Sequence, residues 1–337
     1  MHERQYFKNK IFQLATEKEF VNLAIELFYY QAENNPVYKK YLENLGEPSA
    51  YQRIQEKNIR SIEEIPFLPI SSFKNFDVLV EGNDVEKIFS SSGTGKTGFS
   101  RHLLKDLNLY SQSFSKAFEQ YYGSPEDYCI LALLPNYLER EGSSLIYMVQ
   151  HLISKSKDGD SGFYLDDLKG LSEVLQKKKK SGKPFILLGV TFALLDLAEL
   201  YPMDLRGGII METGGMKGRR KEMLREEVHQ ILKQSFQVQN IHSEYGMTEL
   251  LSQAYSIGAG KFTCPPWMKV FIRETTDPFR FVGLGKGGGI NIIDLANIDS
   301  CAFIETQDLG RKINEREFEI LGRFDNSEIR GCNLMVF

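Results

Sequence analysis

The chain has 337 residues, enough for about two domains, and its 42% hydrophobic and 26% charged content is that of a packed globular protein rather than a disordered or fibrous one. A formal net charge of -4 argues against a nucleic-acid partner, because phosphate binding draws on a basic excess. The N-terminus Met1-His2-Glu3-Arg4-Gln5 leads into a charged helix without the apolar stretch of a signal peptide, and no run approaches the ~18 to 20 apolar residues of a membrane span, so a cytoplasmic protein with no transmembrane segment is expected.

Over 11–45 apolar residues recur at helical spacing, as in Leu23, Leu27 and Tyr30, and Pro36 interrupts the run after Asn34-Asn35, which predicts two helices. Residues 65–74 carry Pro66 and Pro69, which forbid a continuous helix and predict an extended lead-in to the main body. Short apolar strands then alternate with amphipathic helices: strand 128–134 with helix 143–154, strand 185–189 with helix 192–200, and strand 208–212 with helix 220–236. That alternation predicts a mostly parallel sheet with helices on its faces. Past residue 262 the helical period fades, and strand-like runs broken by Gly283, Gly285 and Gly287-Gly288-Gly289 predict a smaller β-rich subdomain. The expected division is a helical leader over 1–60, an α/β core over 61–260 and the β-rich subdomain over 261–337. The four lysines Lys177 to Lys180 read as a solvated helix end ahead of Ser181-Gly182 rather than as a binding patch.

Five short motifs are set into this framework. The first, Ser91-Ser92-Gly93-Thr94-Gly95-Lys96-Thr97-Gly98, imitates a P-loop, but the first glycine of GxxxxGK[ST] would fall on Ser90, and Gly98 with an extended 99–104 follows where a helix should begin. It reads instead as a strand-loop-strand hairpin whose small residues let backbone amides approach phosphates. A glycine-rich turn with no ligand is the plain alternative. The second motif, Gly214-Gly215, sits where the 208–212 strand meets a helix, the edge at which α/β proteins bind ligands. The third, Tyr245-Gly246-Met247-Thr248-Glu249, combines a planar ring, a hydroxyl and a hard carboxylate suited to magnesium. Fourth, Asp308 in Gln307-Asp308-Leu309-Gly310 could bond two vicinal hydroxyls at once. Last, Gly322-Arg323-Phe324-Asp325 supplies an arginine for charge-assisted hydrogen bonds, and only five residues follow Cys332.

In this order the motifs resemble those of the adenylate-forming superfamily of acyl-CoA synthetases, luciferases and peptide-synthetase adenylation domains. Within it the closest resemblance, over nearly the whole chain, is to the acyl-protein synthetase (LuxE-type) family, including Leu134-Pro135-Asn136-Tyr137-Leu138-Glu139-Arg140 and Ser143-Ser144-Leu145. The resemblance implies an α/β fold with layered, mostly parallel sheets, flanking helices and a small β-rich subdomain, lacking the C-terminal domain that carries a catalytic lysine in larger members. It implies ATP and Mg²⁺ as cofactors. Ser91, Ser92, Gly93, Thr94 and Lys96 would grip the pyrophosphate end of ATP, although Gly95 stands where the family pattern has threonine and the lysine is shifted. Gly214 and Gly215 would lie against adenine, Tyr245 would stack on it with Gly246 beside it in the nucleotide-binding set, Thr248 would contact the α-phosphate and Glu249 would hold Mg²⁺. Asp308 would clamp the ribose, with Arg323 near ribose or phosphate, and Asp325 would occupy the pivot of larger members.

The implied activity is ATP-dependent activation of a carboxylic acid, expected to be a fatty acid, followed by transfer of the acyl group to a protein thiol. Cys332 is the candidate acceptor, with Arg330 favouring its thiolate. The expected partners are the acid itself and an acyl-reductase, transferase or acyl-carrier protein. Cys129, Cys264 and Cys301 form no CxxC pair, so neither a zinc site nor a disulfide framework is expected. His242 could contact the substrate carboxylate or serve as a structural histidine, and Gly142-Ser143-Ser144 is not a GxSxG elbow. Two alternatives are a synthetase that hands acyl or aryl groups to CoA or a carrier protein using a separate accessory domain, and a non-catalytic nucleotide-binding subunit of an acyltransferase complex.

Overall fold

The computed structural model describes residues 2–45, 54–56, 58–82, 84–91, 99–135, 142–215, 219–221 and 223–324. The chain opens with helices α1 (His2–Lys10), α2 (Glu17–Asn34) and α3 (Pro36–Glu43). Thr16 starts α2 through a capping box with Glu19. Asn35 ends α2 and starts α3: its side chain accepts from the amides of Val37 and Tyr38, and Pro36 sits at a first-turn position where its missing N–H costs nothing. The expected extended lead-in is strand β1 (Leu68–Pro69), followed by a single helical turn, α4 (Ser72–Asn75). Then come the hairpin β2 (Lys87–Ser90) and β3 (Arg101–Leu104), helix α5 (Leu107–Tyr122), β4 (Cys129–Leu133), α6 (Ser144–Lys155), β5 (Gly162–Phe163), α7 (Leu168–Ser181), β6 (Phe185–Val190), α8 (Thr191–Leu200), β7 (Ile209–Thr213), α9 (Arg225–Phe236) and β8 (His242–Tyr245). The remainder is strand: β9 (Ala254–Ser256), β10 (Phe262–Thr263), β11 (Met268–Arg273), β12 (Gly287–Asp294), β13 (Phe303–Lys312) and β14 (Glu317–Arg323).

All of these strands except the β2–β3 hairpin join one sheet, in the order β11-β12-β13-β14-β10-β9-β8-β7-β6-β4-β5, with β1 added beside β13. From β8 to β5 the neighbours run parallel, and from β8 to β11 they run antiparallel. The parallel half explains why the apolar runs are continuous rather than alternating: helices cover both faces, and every residue of β4 and β6 is buried. Strand β13 is shared between partners. Its N-terminal half pairs with β1 through Ile304 and Glu305, and its C-terminal half pairs with β14 from Asp308 onward. Among the described residues no helix is long and apolar enough to cross a membrane.

The N-terminal helices grip a turn nearly three hundred residues away in sequence. Gln31, fully buried in α2, donates to the carbonyls of Asn297 and Ile298 at 2.7 and 3.0 Å and accepts from the amide of Ala302. Asn35 donates to the carbonyl of Ser300, and Arg4 forms a bidentate pair with Asp299 at 2.5 and 2.6 Å. Beneath these contacts the Phe28 ring meets Phe303 edge-on at 5.9 Å.

The lysine run is not uniformly solvated. Lys178 is 2% exposed and pairs with Asp158 at 2.5 Å and Asp160 at 2.7 Å, whereas its neighbour Lys177 is exposed. Helical periodicity turns one lysine of the four inward, and two carboxylates at the foot of β5 neutralise it.

Candidate active site

The parallel strands β6, β7 and β8 end side by side, with Val190 opposite Thr213 and Thr213 opposite Glu244. Gly214 and Gly215 therefore lie beside Tyr245 at the carboxyl edge of the sheet, where ligands of such sheets are held. Gly214 has a φ of +71°, which its lack of Cβ allows, and a Cβ on Gly215 would meet nothing within 4 Å, so this edge is open. The Thr191 hydroxyl at the start of α8 donates to Glu212 at 2.9 Å and lies 3.3 Å from the Gly214 carbonyl.

Three of the later motifs meet through direct bonds. Tyr245 donates its hydroxyl to Asp308 Oδ2 at 2.9 Å, and Arg323 Nε lies 3.2 Å from Asp308 Oδ1. Asp308 and Arg323 are cross-strand partners in β13 and β14, so the sheet register itself makes the pair. The Tyr245 ring is held edge-on by Phe262 and Phe318 at 6.0 and 6.1 Å. Burial raises the Asp308 carboxyl above its ordinary value, and Arg323 and the Tyr245 hydroxyl temper the rise. Each Asp308 oxygen keeps a lone pair after these bonds, which leaves capacity for vicinal hydroxyls.

The root of the first motif reaches the same place from the other side. Ser91 and Ser100 close the ends of the β2–β3 hairpin loop: the Ser91 amide donates to the Ser100 carbonyl at 3.0 Å, and the Ser100 amide donates to Ser91 Oγ at 3.0 Å. From β3, buried His102 bonds the Thr248 carbonyl through Nδ1 at 2.8 Å, and Ser100 hydrogen-bonds the Glu249 carboxyl. Burial pushes the His102 imidazole down to about 4, so it is neutral and its Nδ1 carries the proton given to that carbonyl. Asn297 adds a second tie by donating to the Glu249 carbonyl at 2.7 Å. The hairpin that bears the glycine-rich loop is thereby fixed against the segment that bears Thr248 and Glu249.

Glu249 is 6% exposed, and burial raises its carboxyl, tempered by Ser100 and by the charges of Arg323 and Lys74. Among the described residues no cluster of three or more metal-ligating side chains exists. A magnesium ion held by one carboxylate together with substrate phosphates and waters needs none, and a buried carboxylate short of positive charge fits it. Ser92, Gly93, Thr94, Lys96, Asp325, Arg330 and Cys332 lie outside the described residues. His242 stands at the opposite, N-terminal end of β8, where its Nδ1 meets the Tyr122 hydroxyl at 3.2 Å and burial lowers it to about 4, so it serves packing rather than the substrate.

Sequence reading missed a polar cluster beneath the glycines. On one face of β7 and β8, Glu212 accepts from Ser243 Oγ at 2.9 Å, lies 3.4 Å from His229 Nε2, and pairs with Arg225 at 3.3 Å. Burial alone would raise the Glu212 carboxyl, but His229, Arg225 and Ser243 outweigh it and hold it low. Serine, histidine and glutamate meet here without forming a relay, because Ser243 and Glu212 both face the same imidazole nitrogen. On the other face, Thr213 donates to Glu244 at 2.5 Å. Glu244 is 8% exposed, and burial, followed by the neighbouring charge of Glu212, raises its carboxyl to about 7. Its signal in the sequence was a carboxylate placed directly before the Tyr245 motif in an otherwise buried strand.

The Glu244 shift has a definite sign. The folded state holds a proton that the unfolded chain releases near 4.5, so wild-type stability falls as pH rises from about 4.5 to 7. Glu244→Gln removes this dependence, and its stability advantage over wild type is expected to grow by about 3 kcal/mol between pH 4 and pH 8. Urea unfolding of both proteins at the two pH values measures it. The paired comparison cancels His102 and His242, whose lowered values act in the opposite direction below pH 6.5. A pH-independent difference would show that Glu244 ionises normally.

A family model described as acyl-protein synthetase, LuxE, matches residues 17–337. ATP-bound MatB from Rhodopseudomonas palustris superposes with a TM-score of 0.54 at 15% identity, covering 73% of this chain and 49% of that one. An open conformation of 2-hydroxyisobutyryl-CoA ligase in complex with 2-HIB-AMP and CoA superposes with a TM-score of 0.65 at 14% identity, covering 92% of this chain and 75% of that one. The chain thus spans about half the length of the MatB chain, and at these identities the likeness is one of fold. No curated protein matches the chain.

Proposed function

The chain belongs to the acyl-protein synthetase (LuxE) family, and on that premise we propose that it activates a carboxylic acid with ATP and passes the acyl group to a protein thiol. The observation that carries the proposal is the convergence at one sheet edge of Gly214, Tyr245, Thr248, Glu249, Asp308 and Arg323 with the Ser91–Ser100 hairpin ends. In the first half-reaction a carboxylate oxygen of the acid attacks the α-phosphorus of ATP, the bond to the bridging oxygen breaks, and pyrophosphate leaves. In the second, a thiolate attacks the acyl carbonyl and AMP departs.

Asp308 binds the ribose hydroxyls, with Tyr245 and Arg323 fixing its two oxygens. The open Gly214-Gly215 edge and the Tyr245 ring form the walls for adenine. Thr248 offers its hydroxyl to the α-phosphate, and its backbone is held in place by His102. The glycine-rich motif over 91–98, Lys96 included, would contact the departing phosphates. Glu249 would hold Mg²⁺, which when bound neutralises phosphate charge as pyrophosphate departs. The acid is proposed to be a fatty acid and the acceptor Cys332, with a partner reductase, transferase or acyl-carrier protein downstream, in the cytoplasm. Burial pushes the thiols of Cys129 up to about 11 and of Cys264 and Cys301 up to about 12, so at neutral pH these three are poor nucleophiles.

Carboxylate-dependent exchange of pyrophosphate into ATP tests the first half-reaction, and exchange with no acid at all would overturn it. For the second, Cys332→Ser is expected to retain exchange while losing all stable label from a radioactive acid. Undiminished label on the variant would rule Cys332 out as the acceptor.

A further inference from the structure

The face of the sheet opposite Glu212 carries a polar group that the nucleotide site does not use. Thr213, Glu244 and Tyr255 are consecutive cross-strand partners in β7, β8 and β9, and continuing that register sets Gln253 opposite Gly246. Cross-strand partners share a face, so Glu244, Gly246, Gln253 and Tyr255 line one surface. Gly246 opens space there: a Cβ on it would come within 2.5 Å of Glu244 Oε1 and 3.2 Å of Gln253 Cγ. The carboxyl and the amide therefore lie together over Gly246, where β8 and β9 meet, one strand over from the β7 end that carries Gly214.

Neither group is satisfied in the usual way. Gln253 is 3% exposed, its Oε1 is buried, and that oxygen has no hydrogen-bond partner among the described residues. The Glu244 side chain has one such partner, Thr213. Two of the tyrosine hydroxyls that sense the Glu244 charge are committed elsewhere, Tyr110 to the Ser144 carbonyl and Tyr122 to His242. A buried acceptor without a partner is costly, and natural proteins keep few of them. One at the mouth of a ligand-binding edge is explained when the ligand brings the missing donor. Both groups present oxygen. Gln253 is neutral, and burial raises the Glu244 carboxyl to about 7, so at neutral pH the face carries roughly half a negative charge rather than the full carboxylate that a buried ammonium needs.

We propose that Glu244 and Gln253 form a specificity subsite that receives a hydroxyl group on the acyl part of the substrate, so that the enzyme selects a hydroxylated acid over the plain chain of equal length. The inference rests on the reading of the site as one that activates a carboxylic acid. A site built to bond a hydroxyl rejects the analogue lacking it far more strongly than an apolar pocket rejects an added hydroxyl, because its own polar groups are otherwise left unpaired.

The test is pyrophosphate exchange with straight-chain acids of short, medium and long chain, each beside its α-hydroxy, β-hydroxy, ω-hydroxy and α-amino counterparts. Wild type is expected to favour one hydroxylated series over the plain acids by ~10⁴-fold in kcat/KM. In Gln253→Met, which replaces the amide with an apolar chain of similar volume, that ratio is expected to fall at least ~10-fold with Tm unchanged or raised. Equal use of plain and hydroxylated acids by wild type, preference for the amino series, or a ratio unaltered in the variant would each overturn the subsite while leaving acid activation standing. If no acid supports exchange, the activation reading fails instead, and thermal shift decides the subsite. A hydroxylated acid that raises Tm in wild type but not in Gln253→Met supports it, and equal shifts overturn it.

Discussion

Glu249→Gln is expected to lower Mg²⁺-dependent pyrophosphate exchange by ~10²- to 10³-fold without loss of stability. The carboxylate is nearly fully buried, and burial raises its pKa even with Arg323, Lys74 and Ser100 nearby, so in the folded chain its charge is a burden that a bound cation would relieve. Glutamine keeps the volume and an acceptor for Ser100 but removes the charge that would hold magnesium. The loss should therefore be in turnover rather than in folding, and raising the Mg²⁺ concentration should recover little of it. Exchange kinetics across a magnesium titration, alongside thermal unfolding, read both quantities. A variant with near-normal turnover would remove Glu249 from the metal site and with it the proposed geometry of phosphate release.

Asp308→Asn is expected to reduce kcat/KM for ATP by about 10²-fold, mostly through KM. The carboxylate accepts from Tyr245 and Arg323 and still has a lone pair on each oxygen for the ribose. Asparagine preserves an acceptor for the buried Tyr245 hydroxyl, so the fold is retained, but it loses the charge that strengthens bonds to the sugar. Substrate trimming isolates the contact. Wild type should lose affinity for 2′-deoxy-ATP and 3′-deoxy-ATP, while Asp308→Asn should discriminate much less among the three nucleotides. Equal discrimination by both proteins would mean that the ribose lies elsewhere.

The legible parts of this molecule were those written in local chemistry. Strands over 129–133 and 185–190 announced themselves because both faces are covered, which makes their sequences apolar without interruption. The helix expected over 220–236 begins at Arg225 because Leu224 stays extended as its N-cap, a choice made by Glu227 bonding the Leu224 amide rather than by any periodicity. Tyr245, Asp308 and Arg323 could be picked out one by one, yet that they touch depends on β14 inserting between β13 and β10, a sheet order that no spacing encodes. Glu244, Gln253, His102 and Asn297 went unremarked for the same reason: each is an ordinary polar residue until the register turns it inward. Lys178 shows the opposite failure, a residue whose charge suggested solvent but whose partners Asp158 and Asp160 come from a neighbouring loop.

The grip of α2 on residues 297–302 has a consequence for how the protein is made. The ribosome emits Phe20, Leu23, Leu27 and Phe28 early, but their companions around Phe303 and the carbonyls that receive Gln31 emerge some 266 residues later. At bacterial and eukaryotic synthesis speeds that interval runs from roughly ten seconds to about a minute, during which the apolar face of α2 waits on the nascent chain with only its early neighbours, such as Tyr38 beside Phe28, to cover it. The turn it waits for also holds Asn297 against the Glu249 carbonyl, so one late-emerging turn completes both the N-terminal packing and the wall beside Glu249. Shortening the chain at its start would thus disable the centre without deleting a single residue of it, and holdase chaperones should find their strongest purchase on ribosome-bound intermediates that stop short of residue 297.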